Sequence, residues 1–397
     1  MTSIHPTGAS GLTATENRAL RSVAIQFWVN GVVFASFIPR LPEIRGHLDI
    51  ELAELGVLLT IGSLGGLAGS AVCGRLIERL GTKSVMTLGA FGMVMVLPVI
   101  GLAGTPLVLL GALMALQLFD VFTDVAMNLQ GSWLSGHRTV PVINRLHGLW
   151  SLGTVVGGIL ATVAATLLTL QVHLITVALV LAVTLLYVGP GLLTEDQPAT
   201  PSDSPSGERD AVTRKPSGSR LALLFAALAV MGIGIELVPT DWAAFRLVED
   251  FGARPSRAGL GFVAMTSGMV VGRFGGDNAT AAFGRRRLLT AAAILNAAGL
   301  AIATLVPNVT TSIAGFFVTG LGAAVIFPGL YDIAARSPGR PGAMLGAMTA
   351  GIRVGLVVFP AAVGFLASSD HLTMGAAMAI VTLPAALGLL LFGTRAG

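Results

Sequence analysis

Twelve stretches of roughly 20 mostly apolar residues, the length a helix needs to cross a hydrocarbon layer about 30 Å thick, constrain this 397-residue chain more than any other feature. They fall at about 21–41, 53–76, 84–103, 107–132, 142–168, 171–193, 220–247, 258–276, 286–306, 311–336, 342–367 and 371–394. Apolar residues make up 54% of the chain against 11% charged, with mean hydropathy +0.82. A chain with so few polar side chains cannot cover a water-facing globule and must present its surface to lipid. The expected fold class is therefore all-α, a membrane protein of twelve transmembrane helices.

One long polar stretch interrupts the series. Residues Thr194 to Ser219 are rich in Pro, Ser and charge and cannot bury enough apolar surface to fold. This predicts a six-helix bundle over 1–193, a linker over 194–219 and a second six-helix bundle over 220–397. Of the 24 Lys and Arg, 17 fall on one set of alternate loops together with both tails and the linker, and five on the other set. By the positive-inside bias this puts both termini and the linker in the cytoplasm of a bacterial cell, with the spans in its inner membrane. The polar segment Met1 to Asn17 has no charged-then-apolar leader pattern, so the first span is expected to serve as the insertion signal. The pI near 10 reflects a net charge of only +4, spread over short loops, and does not suggest a nucleic-acid partner. The single cysteine, Cys73, rules out an internal disulfide. No cofactor or metal is expected, and a monomer is expected.

Glycine spacing adds a repeat. Small residues four apart let helix backbones approach in lipid, and GxxxG occurs at Gly62/Gly66, Gly65/Gly69, Gly153/Gly157, Gly268/Gly272, Gly272/Gly276, Gly342/Gly346 and Gly351/Gly355. These lie in the second, fifth, eighth and eleventh spans, so the chain reads as two parallel six-helix repeats. After the second span comes Gly74-Arg75-Leu76-Ile77-Glu78-Arg79-Leu80-Gly81-Thr82-Lys83. It is echoed after the eighth by Gly272-Arg273-Phe274-Gly275-Gly276-Asp277 and, further on, by Gly284-Arg285-Arg286-Arg287. This loop resembles the signature loop of the major facilitator superfamily. The resemblance implies that fold and a conformational-switch role for Gly74, Glu78, Arg79, Gly81 and Asp277, although Glu78 replaces the usual aspartate and the second copy is stretched. Gly81-Thr82-Lys83-Ser84 lacks the glycine spacing of a nucleotide-phosphate loop.

A narrower resemblance rests on Asp124-Val125-Ala126-Met127-Asn128-Leu129-Gln130 and on His147-Gly148-Leu149-Trp150-Ser151-Leu152-Gly153, with Glu236 and Asp241-Trp242 later. These runs are similar to the branch that contains the bacterial fucose:proton symporter and its inner-membrane relatives. Fold alone says little about cargo.

Ionisable residues inside spans each need a reason. Asp120 and Asp124, at i and i+4, share a helix face with Asn128, and two carboxylates so close in a low dielectric suit the uptake and release of a proton. The branch resemblance implies that an acid four before the asparagine couples protons, which favours Asp124 over Asp120. The competing reading is that both acids hydrogen-bond neighbouring helices or Arg145. His147 enters the next span at similar depth and is expected beside Asp124, as a relay or as a structural histidine. Arg353, mid-span, needs a counter-charge, expected from Glu236, Asp241, a fourth-span acid or an anionic substrate. Gln26 and Asn30 could hydrogen-bond a polar solute, and Trp150 and Trp242 could stack on one, though interhelical bonding and interface anchoring explain the same residues. Asp332 and Arg336 are expected to form an ion pair.

The expected function is proton-coupled secondary transport of a small polar solute, a sugar or related metabolite, by alternating access. A drug or metabolite efflux antiporter is the alternative, and a non-transporting membrane sensor, without the soluble extension such a protein would carry, is a remoter one. With no HExxH, no GxSxG and no usable cysteine nucleophile, an enzyme is not expected.

Overall fold

The computed structural model describes residues 13–136, 142–194, 220–335 and 341–393; the linker lies outside them. All regular structure there is helical: α1 (Ala14–Phe37), α2 (Leu41–Leu48), α3 (Leu52–Gly101), α4 (Pro106–Gly136), α5 (Ile143–Leu167), α6 (Leu170–Val188), α7 (Arg220–Phe251), α8 (Pro255–Ala258), α9 (Leu260–Phe283), α10 (Arg285–Leu305), α11 (Val309–Ala323), α12 (Ile326–Ala335), α13 (Pro341–Ala367) and α14 (Met374–Gly388).

Twelve crossings follow from these elements. Ten helical stretches are long and apolar enough to span. One of them, α3, has 50 residues, about 75 Å of helix, and crosses twice. Its two limbs meet at Gly81, whose φ of 77° and ψ of 158° are closed to other residue types without strain. The loop expected over 77–83 is thus a single glycine joint. The twelfth crossing is α9, which runs seven residues past its expected end at 276. The span expected over 311–336 is two helices, α11 and α12, separated by a turn at Ala324 and Val325.

The two repeats superpose in their contacts. Gly65 lies on the backbone of Met114 and Gly69 on that of Leu118, while Gly268 lies on Phe317 and Gly272 on Leu321, every pair shifted by the same distance along the chain. Gly81 and Gly284, both with positive φ, stand at that same shift. This corrects the expected alignment of the signature loop. Gly284 is the counterpart of Gly81, so Gly272 matches Gly69 and Arg273 matches Ser70, inside α9 rather than in a loop.

In the first half α1 packs on α5 and α3 on α4 and α6; in the second, α7 packs on α13 and α14, and α11 on α9 and α10. The halves meet along α3 with α13 and along α5 with α9. They are joined closely at the end that carries α2 and α8. There an added Cβ on Gly56 would come within 2.5 Å of the Pro360 carbonyl oxygen. Thr60 Oγ1 donates to the Val357 carbonyl at 2.9 Å, Ala53 N donates to Ser368 Oγ at 2.8 Å, and Arg45 pairs with Glu249 at 3.1 Å. At the same end Arg246 of α7 is paired with Asp250, whose carboxylate accepts the Met374 and Gly375 amides at 2.9 and 2.8 Å. A carboxylate at the first turn of α14 satisfies orphan N–H groups and the helix dipole together. At the other end Asp332 pairs with Arg285; Arg336, its expected partner, lies outside the described residues.

Candidate functional site

Gly31 lets the site form. An added Cβ there would stand 2.1 Å from the Trp150 carbonyl oxygen, so α1 and α5 touch backbone to backbone at this level. That contact brings the Trp150 side chain to Asn30, the residue before Gly31. Trp150 Nε1 donates to Asn30 Oδ1 at 2.8 Å, and Asn30 Nδ2 donates to Asp120 Oδ1 of α4 at 2.9 Å. An indole N–H can only donate. The Asn30 carbonyl must therefore face Trp150 and its NH2 group must face Asp120, which fixes the amide orientation on chemical grounds. It follows that Oδ1 of Asp120 is an acceptor, and any proton on this carboxyl sits on the other oxygen. Asn30 is 3% exposed, so the chain of bonds is shielded from competing water.

The chain continues into the second half. The Arg273 guanidinium lies over the Trp150 ring, 5.7 Å from its centroid, and Nη1 donates to Ser151 Oγ at 2.6 Å. Its Nη2 stands 3.6 Å from Glu236 Oε1 of α7. Asp120, Asn30, Trp150, Arg273 and Glu236 thus form one polar path from α4 through α1 and α5 to α9 and α7, with an acid at each end.

The other expected site residues are placed as follows. Asp124 is exposed, and its Oδ1 accepts from Asn128 Nδ2 one turn away at 2.9 Å. His147 packs edge-on against Phe27, centroids 5.1 Å apart, and no hydrogen bond or ion pair joins it to Asp124, so the expected pair is not formed. Gln26 is 1% exposed with no partner for Nε2, buried against the bundle rather than presented to a solute. Trp242 is also 1% exposed and packs on Phe245, centroids 5.1 Å apart; it is a core residue and not a stacking platform. The face of Trp150 is covered by Arg273, so it too has no free face on that side. Asp241 is half-buried and makes no hydrogen bond or ion pair among the described residues. Arg353 does not neutralise Glu236 or Asp241. It donates from Nη2 to Ser70 Oγ at 2.8 Å, and the counter-charge of Glu236 is Arg273 instead. In the signature loop Gly74 is half-buried and Glu78 and Arg79 are exposed beside the Gly81 joint. The side chain of Asp277 lies outside the described residues.

Arg273 and Ser151 are the site residues that sequence reasoning passed over. The signal was present: an arginine inside a span needs a partner. That reasoning was applied to Arg353, while Arg273, at the edge of the expected span 258–276, was considered only as part of the signature-loop echo.

Comparison with known proteins agrees with this architecture. The sequence profile described as Major Facilitator Superfamily matches residues 23–245 and 222–396. An uncharacterised transporter of Sinorhizobium fredii is 31% identical over 353 residues, covering 88% of this chain and 91% of that protein. An uncharacterised transporter of Yersinia pestis, named as of the same superfamily type, is 27% identical over 89% of this chain and 90% of its own length. The membrane protein MosC of Rhizobium meliloti is 26% identical over 83% and 79%. Among solved structures, a mutant of the nucleoside transporter NupG superposes with a TM-score of 0.76 at 12% identity, covering 95% of this chain and 99% of that one. A bacterial homologue of the human lysosomal transporter Spinster superposes at 0.65, also at 12% identity, covering 97% and 96%. At that identity the superpositions speak to fold alone.

Proposed function

Because the chain belongs to the major facilitator superfamily and is a membrane transporter of that type, we infer that it is a proton-coupled secondary transporter of a small polar solute, a sugar or related metabolite. It works by alternating access, with two six-helix bundles, 1–193 and 220–397, rocking about the solute. The protein sits in the bacterial inner membrane with both termini and residues 194–219 in the cytoplasm, and the closely joined end faces outward.

The observation that supports this reading best is the polar path from Asp120 to Glu236. It crosses the boundary between the bundles at Arg273, whose contacts to Trp150 and Ser151 reach from α9 to α5. Moving the bundles breaks the path there, and the surroundings of both end carboxylates change with it. An acid whose proton affinity differs between two conformations links proton binding to the conformational equilibrium, because a ligand shifts such an equilibrium by its differential affinity for the two states. Asp120 is the coupling acid in this reading, held by Asn30, with Asp124 and Asn128 further along α4 towards the cytoplasm. Glu236 and Asp241 on α7 face the solute from the second bundle.

The test is flux into proteoliposomes holding the purified chain, using a panel of sugars, sugar acids and nucleosides. Asp120→Asn should lose accumulation driven by an imposed pH gradient and retain exchange of labelled for unlabelled solute. Full pH-driven accumulation by that variant, at normal protein yield, would remove Asp120 from the mechanism.

A further inference from the structure

Arg353 sits well inside α13, within the span Ala343–Ala367. A guanidinium stays charged at any physiological pH, and a charge within a span is costly without a partner. Arg40, Arg246 and Arg273, the other arginines drawn into the protein, each hold a carboxylate: Glu43, Asp250 and Glu236. Arg353 has none. Its hydrogen bond goes from Nη2 to the neutral hydroxyl of Ser70, and no ion pair reaches it among the described residues.

Beside the guanidinium there is room for one added carbon. Gly65 and Gly69 on α3 are required by the close approach of α4, where an added Cβ would come within 2.0 and 2.9 Å of backbone oxygens. Gly66 is different. A Cβ there would remain 3.8 Å from the Gln117 carbonyl oxygen and from Val121 Cγ2, and 3.9 Å from Arg353 Nη1. Helix packing does not demand this glycine, and its missing side chain leaves a gap between Nη1 and α4. Asp124, one turn beyond Val121 on α4, is hydrogen-bonded by Asn128. The repeat adds a further point. Ser70 is the counterpart of Arg273, so Arg353 and Arg273 lie at one level on the two opposite interfaces between the bundles, one with a carboxylate and one without.

We propose that Arg353 is an anion subsite, and that the transported solute carries a carboxylate or phosphate group that supplies its missing counter-charge. Beyond the bond to Ser70 the guanidinium keeps Nε–H, both Nη1 hydrogens and the second Nη2 hydrogen, so one of its two forks, Nη1 with Nη2 or Nε with Nη2, stays suited to two oxygens of such a group. The inference rests on the transporter reading above and narrows its solute from polar to anionic.

The thermal midpoint of the full-length protein, purified in an uncharged maltoside detergent at pH 7 and constant ionic strength, can be followed against glucose, gluconate, glucose 6-phosphate and inorganic phosphate. An anionic member should raise it saturably, with glucose inert. Arg353→Gln should weaken that anion by at least about tenfold, Arg353→Lys by less, and Ser70→Ala should bind nearly as the parent does. Equal stabilisation by glucose, no shift with any anion, or unchanged affinity in the arginine variants would overturn the proposal. Should Arg353→Gln fail to fold, Arg353→Lys keeps the charge and decides the matter by its loss of the two-oxygen geometry. An anionic lipid offers the same chemistry, so nanodiscs of phosphatidylcholine with and without phosphatidylglycerol form a second arm. Stabilisation by phosphatidylglycerol alone, lost in Arg353→Gln, would assign the site to a headgroup and refute the solute. No pH gradient is used, so a negative result here leaves proton coupling at Asp120 standing, and a failure of Asp120 leaves this site standing.

Discussion

Replacing Gly31 by alanine tests the site without altering any polar side chain. The new Cβ would lie 2.1 Å from the Trp150 carbonyl oxygen and 3.0 Å from Thr154 N. Ordinary contact between heavy atoms requires about 3.5 Å, so α5 must retreat from α1 by about 1 Å or more. Trp150 moves with its backbone, and its 2.8 Å bond to Asn30 stretches to about 3.8 Å, outside hydrogen-bonding range. Overpacking of this kind costs about 1–3 kcal/mol, and leaving a buried carbonyl oxygen without its donor costs about another 1–3 kcal/mol. Asn30 is then free to turn its amide, and Asp120 loses its fixed donor. The control is Gly111→Ala on α4, where an added Cβ meets nothing within 4 Å and helix propensity favours alanine by up to about 1 kcal/mol. Thermal midpoints in detergent should fall for Gly31→Ala and hold or rise for Gly111→Ala. In proteoliposomes the first variant should accumulate solute poorly under a pH gradient and still exchange it. Parental stability and coupling in Gly31→Ala would show that the close approach of α1 and α5 does not build the site.

Three other substitutions probe the frame. Trp242→Ala should cost about 3–5 kcal/mol of stability, seen as a lowered midpoint, while solute affinity of the folded fraction stays at the parental value; a selective loss of affinity would return Trp242 to the binding site. Asp250→Ala strips the first turn of α14 of its acceptor and strands the Arg246 charge, a loss of about 3–5 kcal/mol that should appear as poor yield of monodisperse protein. Arg45 and Glu249 join the bundles at their closed end while half-exposed, so the pair adds only about 0–1 kcal/mol. Arg45→Glu alone should speed opening at that end, read as faster labelling of a cysteine in place of Ala53, which is half-buried at the same junction, and Arg45→Glu with Glu249→Arg should restore the parental rate.

The parts of the fold that depend on local chemistry were legible in the sequence. Apolar runs predicted the crossings, and paired glycines on the second, fifth, eighth and eleventh spans predicted the repeat, because close helix approach is a demand each glycine answers in its own neighbourhood. The joint at Gly81 was seen only as a loop, since one positive-φ glycine between two helices leaves no polar stretch behind. Angular position was legible but unused. Trp242 is six residues after Glu236, about 240° around a helix of 3.6 residues per turn, so a glutamate facing the second interface already turns that tryptophan away. Partner choice was not legible. Glu236 pairs with Arg273 because α7 and α9 are neighbours in the second bundle, and no spacing along the chain separates that outcome from a pairing with Arg353.

The repeat gives this difference a physical form. Two interfaces join the bundles, α3 with α13 and α5 with α9, and each carries one arginine donating to one serine: Arg353 to Ser70 and Arg273 to Ser151. The donors sit on non-equivalent helices of the repeat, since the counterpart of Arg273 is Ser70, the acceptor of the other bond. A duplicated bundle with identical interfaces would have no reason to move at one before the other. Here the α5–α9 clasp also holds a carboxylate and an indole face, whereas the α3–α13 clasp holds a hydroxyl alone. The first interface is therefore sensitive to charge on Glu236 and Asp120, and the second to whatever anion meets Arg353. In the proposed mechanism protonation and solute binding act on opposite sides of one rocking motion, which would make the two ligands thermodynamically linked without any direct contact between them.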